Sequence, residues 1–262
     1  MRNNRKYEIE LTGIKAFVFD MDGVITETAS IHALAWKKLF DKYLERVATR
    51  NHTEFIPFEI DPDYYLYIDG KPRYDGLLSF LNSRGIELPY GDPEDRVDRE
   101  TICGLGNLKD KYYHQYLKSR GANSYQSSIQ FIVKVKSQGV STAVISASRN
   151  AILVLTTAKI LELFDVKVDG VDSAKLSLRG KPYPDIFLEA ARRLNVLPEN
   201  SAIVEDSIAG VEAGRKGNFK LVIGIDRSDH EELLKSHGAN IVIPDLSQLT
   251  IVAAGRHKGS KI

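Results

Sequence analysis

The chain has 262 residues, 43% of them hydrophobic, and a formal net charge of +1 at pH 7. That is enough apolar material for a buried core, which excludes wholesale disorder, and too little net charge to steer a nucleic acid. A single cysteine, Cys103, excludes an intrachain disulfide framework and makes a reducing, cytoplasmic setting the expectation.

Residues 1–10 are polar and charged, and no run of about 20 apolar residues follows anywhere, so neither a signal peptide nor a membrane span is expected. Residues 15–20 (KAFVFD) read as a short buried strand. The next such run, 142–146 (TAVIS), comes about 120 residues later, far more than a strand crossover needs. A second unit is therefore expected in between, roughly at 30–125. It shows helical spacing of apolar residues at 32–44, 74–83 and 109–117, separated by turn-rich stretches at 69–72 (DGKP) and 89–93 (PYGDP). Further strands are read at 202–205 (AIVE), 221–225 (LVIGI) and 240–243 (NIVI), and helices at 150–161, 186–194, 208–216 and 229–236. Short β-branched runs alternating with amphipathic helices predict an α/β fold, a parallel sheet covered by helices. The basic tail, 256–262, is expected to fray.

The chemistry sits at strand ends. Asp20 and Asp22 leave the first strand just as it opens into a loop, where open α/β sheets bind ligands. Alternation along an extended chain lets the two carboxylates share a pocket, and Gly23 permits a sharp turn after them. Solvated acids in a plain turn are the ordinary alternative. Glu205 and Asp206 leave another buried strand in the same way, with Asp206 also placed to cap the helix that follows. Four carboxylates in one crevice are costly without a cation, and hard oxygen donors suit Mg²⁺ better than zinc. The run Ser146-Ala147-Ser148-Arg149-Asn150 brings hydroxyls, backbone N–H groups and an arginine to a helix start, a cradle for phosphate unless Ser148 is only a cap. In the run from Gly180 to Asp185, Pro182 and Pro184 restrain the loop that presents Lys181.

This order of motifs resembles the haloacid dehalogenase superfamily, in particular its β-phosphoglucomutase-like branch. Asp20-Met21-Asp22-Gly23-Val24 is similar to the first motif, Ser146 to the second, Lys181 to the third and Glu205-Asp206 to the fourth. The stretch from Val24 to Ala29, with His32, Ala35 and Trp36, resembles that branch closely, as does Ser146-Ala147-Ser148-Arg149-Asn150 with arginine in place of lysine. The resemblance implies a Rossmann-like parallel-sheet core with helices on both faces, residues 1–29 and 126–262, and a helical cap domain inserted at 30–125. It implies that Asp20 is the nucleophile and Asp22 the general acid and base. It implies Mg²⁺ held by Asp20, the backbone carbonyl of Asp22 and Asp206, with Glu205 close by. Ser146 and Lys181 would hold the transferring phosphate. His32, Arg73 and Lys109 would contact substrate, and Ala147, Ser148, Arg149 and Asn150 would form the phosphate loop, with Arg149 and Asn150 on a second, non-reacting phosphate. In the cap the likeness is loose around 51–71 and 88–106. Trp36 is read as core packing.

Three functions are compatible with these residues: a hexose phosphate mutase, a sugar-phosphate phosphatase, and a receiver-like switch. A switch needs neither a lid nor an acid for a sugar alcohol, so the cap-sized insert and Asp22 weigh against it. Thr28, His32, Arg149 and Asn150 favour the mutase. The expected partner is a small sugar phosphate, with no nucleic acid and no membrane, and the expected assembly is a monomer or weak dimer.

Overall fold

A computed structural model describes residues 6–252. In chain order the elements are β1 (Tyr7–Glu10), β2 (Ala16–Asp20), α1 (Ala29–Asn51), an irregular helical segment (Ile60–Ile68), α2 (Arg73–Ser83), α3 (Ile102–Arg120), α4 (Gln126–Ser137), β3 (Ser141–Ile145), α5 (Ala151–Thr157), β4 (Val166–Val168) and α6 (Gly170–Leu176). There follow α7 (Asp185–Arg193), β5 (Ser201–Glu205), α8 (Ile208–Lys216), β6 (Leu221–Ile225), α9 (Glu231–His237), β7 (Ile241–Ile243) and β8 (Leu249–Val252). Six strands form one parallel sheet in the order β4-β3-β2-β5-β6-β7. This is the α/β, Rossmann-like architecture expected.

Central strand β2 is buried along its whole length. Its side chains alternate, so Phe17 and Phe19 stack 5.8 Å apart on one face, with Phe131 of α4 edge-on to Phe17 at 5.5 Å. Val18 turns to the other face and joins the apolar cluster of Phe187 from α7 and Val211 from α8. The sheet is therefore covered on both faces, which is why its strands read as continuous apolar runs.

The helices between β2 and β3 pack differently. Residues of α1, the irregular segment, α2 and α3 form a cluster of their own around Trp36, Phe40, Phe58, Phe80 and Ile102. Phe40 is the hub, 4.9 Å from Phe58 and 4.3 Å from Phe80. This unit lies over the carboxyl ends of the strands, and the cavity described below forms between the two.

Several boundaries differ from the expectation. The helix expected over 109–117 is the second half of α3, which starts at Ile102 because Thr101 Oγ1 accepts a hydrogen bond from the Gly104 N–H at 2.9 Å. The helix expected over 32–44 continues to Asn51, where His52 takes a left-handed φ of 54°. The helix expected over 150–161 stops at Thr157, ahead of Lys159 with φ 59°. Strands β1, β4 and β8, helices α4 and α6, and the irregular segment were not anticipated. β1 and β8 pair in parallel, Tyr7 opposite Leu249, as a separate two-stranded sheet. The tail at 256–262 lies outside the described residues. Among the described residues no helix is long and apolar enough to cross a membrane.

Candidate active site

Three adjacent strands deliver the motifs to one edge. β2 lies between β3 and β5, with Asp20 opposite Ile145 and Phe19 opposite Val204. Asp20, Ser146 one residue beyond β3, and Glu205 at the end of β5 thus emerge side by side. The loop after Asp20 is a tight turn in which Gly23 N–H donates to Thr26 O at 2.8 Å and Ile25 N–H to Met21 O at 2.9 Å. Gly23 has φ 83°, and a Cβ there would strike the Asp206 carboxylate. Glycine is required at this position by both the dihedral and the close approach.

Carboxylate oxygens of Asp20, Glu205 and Asp206 lie within 4.8 Å of one another. Glu205 is fixed from behind, accepting hydrogen bonds from the backbone N–H of Asp206 at 2.5 Å and of Ser207 at 2.7 Å. Ser207, and not Asp206, caps α8, its Oγ accepting from Gly210 N–H at 3.0 Å, which leaves the Asp206 carboxylate to the cluster. Lys181 is buried between the acids, 2.5 Å from Asp20 Oδ1 and hydrogen-bonded to Glu205. Burial works to lower Lys181, but the Asp20 and Glu205 carboxylates overcome it and raise its pKa, so it stays charged. Burial raises Asp20 well above the carboxylate range against the pull of Lys181. Burial, Asp69 and Glu205 do the same to Asp206. One lysine does not neutralise this cluster, and its hard oxygen donors fit a further cation.

The Asp22 side chain stays outside that cluster. Its Oδ2 accepts from Ser146 Oγ at 3.0 Å and its Oδ1 from Thr28 Oγ1. Burial works to raise its pKa, but the His32 ring and the two hydroxyls outweigh burial and hold it below the usual value. His32, on α1, is stacked on Tyr113 at 4.1 Å, and its Nε2 faces Asp22 Oδ1 at 3.5 Å. Its Nδ1 lies 2.6 Å from Lys109 Nζ. Lys109 is itself buried, over the rings of Trp36 and Tyr113, and burial with Arg73 nearby lowers it to about 7. Burial and Lys109 lower His32 too, and its ring lies between the two, Nδ1 against the lysine and Nε2 facing Asp22.

A cavity of about 310 Å³ opens beside Asp20 and Asp22 and runs under the helical insertion to Arg73, Asp110 and Arg149. Ala147 and Ser148 line it. The loop holding them is a chain of side-chain turns, Ser146 Oγ accepting from Ser148 N–H at 3.0 Å and Ser148 Oγ from Asn150 N–H at 3.1 Å. Arg149 is exposed on it. Asn150 Nδ2 donates to Asp110 Oδ1 at 3.0 Å, and Arg73, the first residue of α2, makes an ion pair with the same oxygen at 2.7 Å. Trp36 stacks on Phe40 at 5.3 Å as expected of core packing, yet it also lines the cavity.

Asp20, Asp22, His32, Arg73, Lys109, Ala147, Ser148, Arg149, Lys181 and Asp206 thus line one cavity, and Ser146, Glu205 and Asn150 are hydrogen-bonded to residues that line it. Asp69, Asp110 and Tyr113 were not foreseen. Asp69 lines the cavity and is raised to about 7 by burial and by Glu205. Its neighbour Gly70, in the turn expected at 69–72, packs against Ser207, which brings that turn onto the cluster. Nothing local marks Asp110 or Tyr113, which depend on how α3 lies against the core.

Residues 14–218 match the family model of the haloacid dehalogenase-like hydrolases. The chain is 44% identical to a β-phosphoglucomutase of Mycobacterium bovis over 239 residues, covering 90% of this chain and 91% of that protein. It is 30% identical to a β-phosphoglucomutase of Bacillus subtilis, covering 91% and 92%. The crystal structure of a β-phosphoglucomutase from Clostridium difficile superimposes with a TM-score of 0.68 at 29% identity, covering 90% of this chain and 93% of that one.

Proposed function

The chain belongs to the haloacid dehalogenase-like hydrolases, and from that premise we propose that it is a phosphoryl-transfer enzyme that interconverts β-glucose 1-phosphate and glucose 6-phosphate through the 1,6-bisphosphate. The observation that carries the reading is a cavity with charged or amide donors suited to a phosphate at each of its two ends. One end has Asp20, Ser146 and Lys181, and the other has Arg73, Arg149 and Asn150. A single-phosphate substrate needs only the first.

Mg²⁺ is the cofactor of this reading, held by Asp20, Glu205, Asp206 and the backbone carbonyl of Asp22. Bound there, it supplies positive charge against the transferring phosphate. In the first half-reaction Asp20 carries the phosphoryl group. Asp22, kept ionised by Thr28, Ser146 and His32, takes the proton of the sugar 6-hydroxyl. The hydroxyl oxygen forms a bond to phosphorus, and the bond from phosphorus to Asp20 breaks, giving the bisphosphate. After the bisphosphate turns end for end, Asp20 attacks the 1-phosphate, and Asp22 returns its proton to the departing C1 oxygen. Ser146 and Lys181 hold the oxygens of the transferring group and offset its charge. His32 and Lys109 orient Asp22 and the sugar, with residues 30–125 acting as the cap that closes over them.

The test is to follow the phosphoenzyme. Enzyme with Mg²⁺ is exposed to glucose 1,6-bisphosphate, quenched in acid, digested and read by mass spectrometry. One phosphoryl group is expected on the peptide carrying Asp20, discharged much faster by β-glucose 1-phosphate than by buffer. Discharge to inorganic phosphate at a rate indifferent to the sugar would instead support a phosphatase.

A further inference from the structure

One oxygen joins the two halves of the far end of the cavity. Asp110 Oδ1 pairs with Arg73 Nη2 at 2.7 Å and accepts a hydrogen bond from Asn150 Nδ2 at 3.0 Å. Arg73 opens α2 in the helical insertion, whereas Asn150 precedes α5 in the core. An anionic oxygen that bridges a guanidinium and an amide is the same acceptor that a phosphate oxygen would be. The surroundings suit an anion also. Arg149 and Lys109 line the same cavity, and both Asp110 and Arg73 are partly exposed to it.

We propose that Asp110 is a specificity-determining residue, an internal carboxylate that occupies the donors of the distal phosphate and must be displaced by the second phosphate of the substrate. This rests on the reading of Arg73, Arg149 and Asn150 as the distal site. Two anions crowded onto the same guanidinium and amide repel one another, so the incoming phosphate competes with the carboxylate for them. A dianionic phosphate outcompetes a single carboxylate for Arg73, whereas a sugar without one leaves the bridge in place. The displaced carboxylate has a partner at hand. His114, one turn further along α3, has Nε2 3.6 Å from Asp110 Oδ2. Arg73 also keeps a second hold, Nη1 donating to Asn107 Oδ1 at 3.3 Å, so it remains aimed at the cavity once the bridge is broken.

Asp110→Asn keeps a bridging oxygen but removes the competing charge, and Asp110→Ala removes both. Each is made in an Asp20→Asn background, which cannot be phosphorylated, and titrated calorimetrically with glucose 1,6-bisphosphate in the presence of Mg²⁺. Both variants are expected to bind the bisphosphate more tightly than their parent, Asp110→Asn by ~ten-fold, the scale of removing one like charge from a partly solvated site. When Arg73→Ala is added to the background, the gain from Asp110→Asn should largely vanish, a non-additivity that a purely structural role would not give. Unchanged or weaker binding in both variants would overturn the inference and leave the proposed reaction standing, because Asp110 would then be positioning Arg73 or touching the sugar. No bisphosphate binding in any of these proteins, parent included, would overturn the proposed reaction and this inference with it.

Discussion

Lys181 Nζ lies 2.5 Å from Asp20 Oδ1 although the two residues are 161 positions apart in the chain. Lys181 comes from the loop before α7, and Asp20 ends the central strand. Their pairing sets the electrostatics of the site, because the lysine is the buried cation that Asp20 and Glu205 share. It holds Asp20 in place without satisfying the cluster, since Asp20 and Asp206 both remain raised.

The first consequence concerns the nucleophile. Asp20→Asn preserves size and a contact with Lys181 but cannot form the acyl phosphate. The variant is expected to fold, by circular dichroism, and to keep less than about one thousandth of the isomerase rate. A folded variant with more activity than that, and no deamidation back to aspartate by mass, would contradict the assignment.

The metal gives the second. Excess chelator is expected to stop turnover and Mg²⁺ to restore it. Asp206→Ala should raise the Mg²⁺ concentration for half-activation by about ten-fold or more, the range seen when groups around a metal are removed. Full activity in excess chelator would show that the three clustered acids are not a cation site.

Much of this site was legible in the sequence because its residues lie next to strand ends, and buried parallel strands are the most readable elements. Residues 15–20, 202–205 and 221–225 match β2, β5 and β6 to within a residue. The unread strands are short and half-covered, as with β1 (YEIE), whose apolar positions alternate with charges and whose partner β8 is at the other end of the chain. The irregular segment from Ile60 to Ile68 contains Pro62 and has no clean helical period. Asp110 illustrates the limit at the site itself. In sequence it is one charge on a polar helix, and only the packing of α3 against α2 and the loop at 146–150 brings it to Arg73 and Asn150.

The third prediction is a pH dependence of stability. Lys109 falls to about 7 in the folded protein from an ordinary 10.5. Between those values the unfolded chain binds more protons than the folded one, so stability rises with pH across the window and falls by the same amount as pH drops back to about 7, below which Lys109 adds no further slope. Lys109→Met removes this. The variant should be more stable than wild type by the widest margin below about pH 7, and the margin should shrink by on the order of 2–3 kcal/mol between about pH 6 and about pH 9. Denaturant unfolding of the substrate-free proteins at both pH values checks it. A margin independent of pH would contradict the depressed lysine.

A fourth prediction separates the two ends of the cavity. Arg149→Ala removes a charged donor from the distal end, worth about 1.5–3 kcal/mol, so isomerisation should fall by roughly ten- to a hundred-fold. Hydrolysis of an aryl phosphate, which has no distal phosphate, should lose much less. Equal losses on both substrates would mean that Arg149 supports the fold or the transferring phosphate.

The central claim is that the phosphoryl group on Asp20 goes to a sugar hydroxyl and not to water. Phosphorus NMR of the enzyme with Mg²⁺ and β-glucose 1-phosphate, started with a trace of glucose 1,6-bisphosphate, follows every phosphate at once. The account predicts that the glucose 1-phosphate signal is replaced by glucose 6-phosphate while inorganic phosphate stays near baseline. Growth of inorganic phosphate at the rate at which glucose 1-phosphate disappears, with no glucose 6-phosphate formed, would contradict it.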